Sequence, residues 1–386
     1  MNTKNNLCIF LCFLCFSSSI FILTIQAQED SWTSLAPMKV DRYGLGVVSE
    51  NGKIYAMGGY NGGGPYLDAN EEYDPKTNTW TNKTSMPIPM GYFGLTVHNG
   101  KIYCFSGENG ATYAYTPLYD IWEEKTPLPN PRIGITANTV NDKIYIIGGD
   151  SNSTDVYDPI YDSWDTKAAM PNVLGKFFSW TCTSAVLNNR IHVFGASSSQ
   201  ERIHNIYSPQ SDSWSIGESM LASTIFSVAV STTGINSPNR IYVFGADRHL
   251  WTLNTPDLTS QSYDPKTENW MLVDNVPLSH LKGGIAVIND KLYLVGGGTA
   301  EWSNIIRAEN NNDLYTPIGY GNPDPSYVPS DPTPTPTLSP TPTPSSSPTS
   351  TPELEPFPTT IVIASVIIIA IVGLGIFAYF KKIRGQ

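Results

Sequence analysis

The chain has 386 residues, 40% hydrophobic and only 15% charged, with 31 Gly and 30 Pro. That balance supports a large buried core and excludes an architecture of long helices. The net charge of −11 is unevenly placed: Lys4 lies at one end and Lys381, Lys382 and Arg384 at the other, leaving 19 basic against 34 acidic residues between them. A surface of that sign repels phosphate backbones, so nucleic acid is not an expected partner.

Residues 1–27 read as a secretory signal. Lys4 is followed by an apolar run from Leu7 to Ile25, and Ile25-Gln26-Ala27 places a small residue before the polar Gln28-Glu29-Asp30. Cys8, Cys12 and Cys15 fall inside this segment. Cys104 and Cys182 sit in apolar strand runs of different repeats and read as buried free thiols rather than a disulfide.

From residue 28 to 320 the chain repeats itself. Tyr-x-Pro recurs at Tyr73, Tyr115, Tyr157, Tyr207, Tyr263 and Tyr315, and in the first five copies a Trp follows seven positions later. Each Tyr is preceded by a basic residue, an apolar strand and a small-residue pair: KIYAMGG, KIYCFSG, KIYIIGG, RIHVFGA, RIYVFGA and KLYLVGG. Another apolar run lies upstream, joined to the first by Asn51-Gly52, Asn99-Gly100, Asn141-Asp142 or Asn289-Asp290, residues that tolerate positive φ in a tight hairpin. Each copy therefore predicts four short strands, a to d. The sixth copy ends without its Trp, whereas Trp32 to Met38 stands alone before the first and matches Trp80 to Met86. This N-terminal strand is expected to complete the last sheet and remove a free edge.

Beyond residue 320 the composition changes. Residues 321–358 are dense in Pro, Thr and Ser and predict an extended stalk. Thr359 to Phe380 is uncharged, and its 22 residues would extend about 33 Å as a helix, enough to cross a bilayer. Lys381, Lys382 and Arg384 follow, so residues 381–386 are expected in the cytoplasm and the bulk outside.

The Gly pair after the IY strand and the Tyr-x-Pro…Trp spacing resemble the Kelch repeat over residues 31–318. Ser106-Gly107, Gly195-Ala196 and Gly245-Ala246 depart from Gly-Gly, and His192 replaces a Tyr. The resemblance implies an all-β, six-bladed propeller; the alternative, a WD40 propeller, lacks its Gly-His and Trp-Asp pairs here. Stalked propellers of this design look like those of archaeal surfaces.

No Walker loop, HExxH, GxSxG or CxxC pair occurs, so no catalytic residue and no cofactor is assigned. In a four-stranded blade the d–a and b–c connections share one end of the ring. Before strand a stand Arg42, Tyr92, Arg132, Lys176, His280 and Lys282; after the small pair come Tyr60, Asn61, Glu108, Asn109, Asp150, Asp247, Arg248, His249, Glu301 and Trp302. Mixed charge and aromatics there suit a polar ligand such as a glycan or peptide. Arg42 and Arg132 occupy the place where Kelch-like propellers often hold a ligand with arginine. His249 and His280, meeting across neighbouring blades beside Asp247, are a metal candidate set against two unrelated loop histidines, and no metal is assigned. The expectation is a cell-surface binding or adhesion module. An exported carbohydrate-active enzyme, of the sugar-oxidase or mutarotase kind found among Kelch-like propellers, is the alternative; a structural surface-layer component is the third reading.

Overall fold

Tight turns set the strands. Asn51, Asn99, Asn141, Asn188 and Asn289 all take left-handed φ between 46° and 51°, and each is followed by a second left-handed residue, Gly52, Gly100, Asp142, Asn189 or Asp290. Two such residues match the natural twist of a hairpin, so strands a and b pair without a loop. The computed structural model describes residues 30–171, 182–195, 202–222, 225–246, 258–277, 280–300 and 306–322. All belong to the first of two compact units, Met1–Val328; the second is Pro329–Gln386.

Strand β1 (Ser31–Ser34) comes first. Blade 1 is β2 (Gly46–Glu50), β3 (Lys53–Met57), β4 (Asn70–Asp74) and β5 (Thr79–Asn82); blade 2 is β6 (Gly94–His98), β7 (Lys101–Phe105), β8 (Thr112–Thr116) and β9 (Ile121–Lys125). Blade 3 holds β10 (Ile135–Val140), β11 (Lys143–Gly148), β12 (Thr154–Asp158) and β13 (Ser163–Lys167). Blade 4 holds β14 (Thr183–Leu187), β15 (Arg190–Gly195), β16 (Ile203–Ser208) and β17 (Ser213–Ile216). Blade 5 has β18 (Ile225–Ser231), β19 (Ile241–Ala246), β20 (Leu258–Asp264) and β21 (Asn269–Val273). Blade 6 has β22 (Gly284–Ile288), β23 (Lys291–Val295) and β26 (Asn312–Thr316), with a side hairpin of β24 (Gly298–Ala300) and β25 (Ile306–Ala308).

The sixth sheet runs β1-β26-β23-β22, so the N-terminal strand supplies its outer edge, with Trp32 opposite Tyr315. The other five sheets are simple a-b-c-d meanders, and the inner strands meet their neighbours all round the ring, β22 against β2 included. The protein is an all-β six-bladed propeller. Its apolar core is six clusters, one in each gap between adjacent blades, such as Val47, Ile54 and Tyr73 of blade 1 against Ala286, Tyr293 and Val295 of blade 6. Both faces of each sheet are covered, which is why runs such as Ile144 to Ile147 lack polar alternation.

A polar clasp joins the blades as well. Five residues after the Tyr, an Asn or Asp with positive φ accepts the Tyr hydroxyl: Tyr73 to Asn78 at 2.7 Å and Tyr207 to Asp212 at 2.7 Å, with Tyr115–Asp120 and Tyr157–Asp162 alike. The same oxygen accepts a backbone N–H from the preceding blade, and the Trp two residues on donates Nε1–H to that residue's carbonyl. Ala36 is gripped in this way by Asn78 and Trp80, Thr84 by Asp120 and Trp122, and Ala168 by Asp212 and Trp214. The closing blade borrows both pieces from the N-terminus: Tyr315 donates to Asp30, which accepts from Asp274, while Trp32 reaches the Asp274 carbonyl.

Cys104 and Cys182 are both free thiols. Among the described residues no helix is long and apolar enough to cross a membrane. The expected signal, the stalk from residue 323 onward, the membrane segment and the cytoplasmic tail lie outside the described residues.

Candidate functional site

Register aligns the segments that enter the inner strands. Gly46 pairs with Met57, Gly94 with Phe105, Thr136 with Ile147 and Gly284 with Val295. Four residues before these stand Arg42, Met90, Arg132 and His280; two before them stand Gly44, Tyr92, Gly134 and Lys282. In blade 5, where a bulge shifts the register before Val228, Phe226 takes the second place.

The first place points into the blade. Arg42 is fully buried, donates to the Ala56 carbonyl at 3.0 Å and lies 3.1 Å from Glu71. Burial pulls its guanidinium down to about 10, against the opposing pull of Glu71. Arg132 spreads its fork over Asp155 at 2.6 Å and the carbonyls of Gly148, Asn130, Ile146 and Ser153. His280 sits between the Gly296 carbonyl and Asp313, each at 2.7 Å, and Ser34 of the closing strand donates to the same carboxylate. Glu71, Asp155 and Asp313 each lie two residues before the repeat's Tyr. These three side chains thus tie the entry of strand a to strand c. The expectation that Arg42, Arg132 and His280 line the funnel is corrected: all three side chains are buried inside the blade.

The second place points to the mouth of the ring, and its backbone is left-handed throughout: Gly44 63°, Tyr92 51°, Gly134 81°, Phe226 54° and Lys282 57°. Among the described residues only Tyr92, Phe226, Lys282 and Glu268 take this conformation without being Gly, Asn or Asp, and three of the four share this one place. A large side chain there costs roughly 1–3 kcal/mol, and such strain concentrates where a side chain is needed for function. A girdle of backbone hydrogen bonds holds the segments together across blades: Lys282 N–H to Phe226 O, Gly44 N–H to Lys282 O at 2.7 Å, and Tyr92 N–H to Gly44 O at 2.9 Å.

Around this girdle four tyrosines form a closed set of edge-to-face contacts. Tyr43 meets Tyr60 at 5.4 Å, Tyr60 meets Tyr66 at 6.2 Å, Tyr66 meets Tyr92 at 6.3 Å, and Tyr92 returns to Tyr43 at 6.5 Å. Tyr43 and Tyr60 are also bridged through their backbones. Glycines make room: a Cβ on Gly44 would stand 2.8 Å from the Tyr92 ring, and one on Gly91 2.5 Å from the Tyr66 ring. The Lys282 ammonium lies 4.2 Å from the centre of Phe226, 5.3 Å from that of Tyr92 and 5.6 Å from that of Tyr43, and it donates to the Tyr92 hydroxyl at 3.3 Å. Burial holds this lysine down to about 8. Burial also raises Tyr43, Tyr66 and Tyr92, and Glu108, which bonds the Tyr66 hydroxyl, pushes Tyr66 up further.

Of the residues proposed from sequence, Tyr60, Tyr92, Glu108 and Lys282 come together here. Asn61, Asn109 and Asp150 are exposed nearby in sequence; Asn61 and Asn109 cap their own loops. Lys176, Asp247, Arg248, His249, Glu301 and Trp302 lie outside the described residues, and with them the two partners of the considered metal site. Among the described residues no three His, Cys, Asp or Glu side chains form a group able to hold a metal. Sequence reading missed Tyr43, Tyr66 and Phe226. For Phe226 the signal was the loss of glycine at a place where blades 1 and 3 keep it; Tyr43 and Tyr66 carried no such signal.

A ring of six four-stranded blades, closed by its own N-terminus and presenting loop side chains at one mouth, defines a β-propeller binding scaffold. The family description of the Kelch motif matches residues 41–87, which span blade 1. That match and the six blades of the same pattern together support a Kelch-repeat β-propeller. A search of curated proteins finds no match. Kelch propellers are, in general, protein-binding modules.

Proposed function

We propose that the protein is a binding module displayed at the cell surface, taking a glycan at the tyrosine-lined mouth of the propeller. The observation that carries this reading is the set of Tyr43, Tyr60, Tyr66 and Tyr92, brought together from two blades and bordered by the strained Phe226 and Lys282. Ring faces meet the C–H faces of a sugar, and phenolic hydroxyls meet its hydroxyls. The mouth N–H groups of Gly44, Tyr92 and Lys282 are already taken by the girdle. An extended peptide would therefore find little backbone there to pair with, which favours a saccharide. Surface display is supported by the apolar Leu7 to Ile25, the uncharged Thr359 to Phe380 and the basic residues after it. Protease added to intact cells should then shed the head.

The test is a glycan and peptide array probed with the full-length protein and with Y92G. Gly is the residue that blades 1 and 3 hold at this place, so the variant removes a ring without adding strain. Binding to a saccharide that weakens by about 10-fold or more in Y92G, about 1.4 kcal/mol, supports the site. Equal binding by both proteins, or binding to peptides alone, contradicts it.

A further inference from the structure

We propose that Asn82 carries an N-linked glycan while Asn152 stays bare, the fold choosing between two acceptor sequences. The inference rests on the surface display proposed above and is independent of what the mouth binds.

The pattern Asn-x-Ser/Thr, with x other than Pro, occurs twice in the chain, as Asn82-Lys83-Thr84 and Asn152-Ser153-Thr154. It is the acceptor pattern for oligosaccharide transfer to exported chains. The step is a displacement. The Asn Nδ2 bonds to the anomeric carbon of the sugar and gives up one proton. The bond from that carbon to the phosphate of a lipid-linked oligosaccharide breaks, and the lipid phosphate leaves. A membrane transferase acts on the chain as it crosses, ahead of folding, so the fold decides which modified chains can close.

Asn82 sits where closure asks nothing of the side chain. It ends β5, the outer strand of blade 1, opposite Glu71, and it is exposed. The repeat supplies the control. Two residues after each Trp stand Ser34, Asn82, Glu124, Thr166, Ile216 and Leu272, and every one of them is exposed. Side chains so unlike one another at a single place mean that packing there is not specified, so a bulky substituent displaces only water. The segment is held instead through its next two residues. Lys83 Nζ lies 3.9 Å from both Glu72 and Asp120; the Thr84 N–H donates to Asp120 at 2.9 Å, and its hydroxyl engages the same carboxylate. A glycan on this strand also covers an outer edge whose backbone groups could otherwise pair with another chain.

Asn152 is the opposite case. It is half-buried in the b–c connection of blade 3, where its Nδ2 donates to the Met170 carbonyl at 3.3 Å and its own carbonyl accepts from the Met170 N–H at 2.8 Å. Thr154 is buried, and so is Met170, which belongs to the apolar cluster between blades 3 and 4. A sugar on that nitrogen would have to enter the contact that brings Met170 into the core. A chain modified at Asn152 therefore fails to close blade 3 and drops out of the folded population.

The experiment is peptide mapping by mass spectrometry of the full-length protein, purified folded from the membranes of a eukaryotic secretory host, beside N82Q, T84A, T84S and N152Q. The expected result is an Asn82 glycopeptide in the parent, T84S and N152Q, its loss in N82Q and T84A, and a bare Asn152 wherever that residue is present. The N-terminus should begin near Gln28. A bare Asn82 on a chain cleaved there overturns the site and leaves export standing. A chain that keeps its leader and is bare at both residues overturns export, and the inference with it. A glycan on Asn152 of the folded protein overturns the selection by the fold.

Discussion

Arg132 shows how little a residue's type says about its task. The sequence marks it as a cation before an inner strand, a place suited to holding a ligand. The structure surrounds its fork with Asp155 and four carbonyls. Replacing it by alanine leaves a buried carboxylate uncompensated, so R132A should lose about 3–5 kcal/mol of stability. A urea titration showing no loss would return the arginine to the mouth. The pairing was legible in the repeat. Where Arg42, Arg132 or His280 precedes strand a, an acid stands two residues before the Tyr (Glu71, Asp155, Asp313); where Met90 precedes it, Tyr113 stands there. That correlation joins residues some 23 to 33 apart, and only the blade register makes it visible.

A second residue-scale feature is the histidine pair of blade 4. His192 Nδ1 lies 2.8 Å from His204 Nε2, and His204 Nδ1 lies 3.0 Å from the Glu218 carbonyl. Burial lowers His192 to about 3, helped by the neighbouring His204, and lowers His204 to about 4. The folded state therefore keeps both rings neutral, whereas the unfolded chain takes up protons from about pH 6.5. Stability should be full above that pH and fall as the pH drops through 6 and 5, by about 1.4 kcal/mol per unit for each histidine. Asp120, Asp162 and Asp212 are held below the usual carboxylate range, so the window from pH 6.5 to 5 reports mainly on histidine. Denaturant midpoints across that window check this, and H192F should flatten part of the slope. A parent protein equally stable at pH 7 and pH 5 contradicts it.

At the scale of elements, the N-terminal strand is the closure. The missing Trp after Tyr315 and the unpaired Trp32 made this legible in the sequence, because a repeat that ends one strand short must borrow it. The aspartate was not legible: Asp30 looks like ordinary polar sequence until it is seen accepting from Tyr315 and Asp274. D30A removes the acceptor of the Tyr315 hydroxyl, and its cost is expected at about 1–3 kcal/mol, read as a lower melting temperature of the full chain. A variant that melts like the parent would show that the ring closes without the clasp. Blade 5 offers the reverse change. Glu268 takes a φ of 55° where other blades use Asn or Asp, so E268N should raise stability by about 1 kcal/mol.

For the whole molecule, the repeat made the blades legible, and with them the end that collects the d–a and b–c loops. It did not make the mouth legible. Tyr43 and Tyr66 come from two connections of blade 1, and Tyr92 and Lys282 reach them from blades 2 and 6. Their meeting depends on curvature that no single copy encodes. The sequence trace was negative, a glycine missing where the backbone still demands φ above zero. The central claim is that the ligand sits on this girdle, and amide hydrogen exchange of the full-length protein tests it most directly, with and without the tightest-binding saccharide of the array. The account predicts slower exchange in segments 42–46, 90–94 and 280–284, with the hairpin turns at Asn51, Asn99 and Asn141 unchanged. Protection confined to those turns, at the other end of the ring, would contradict it.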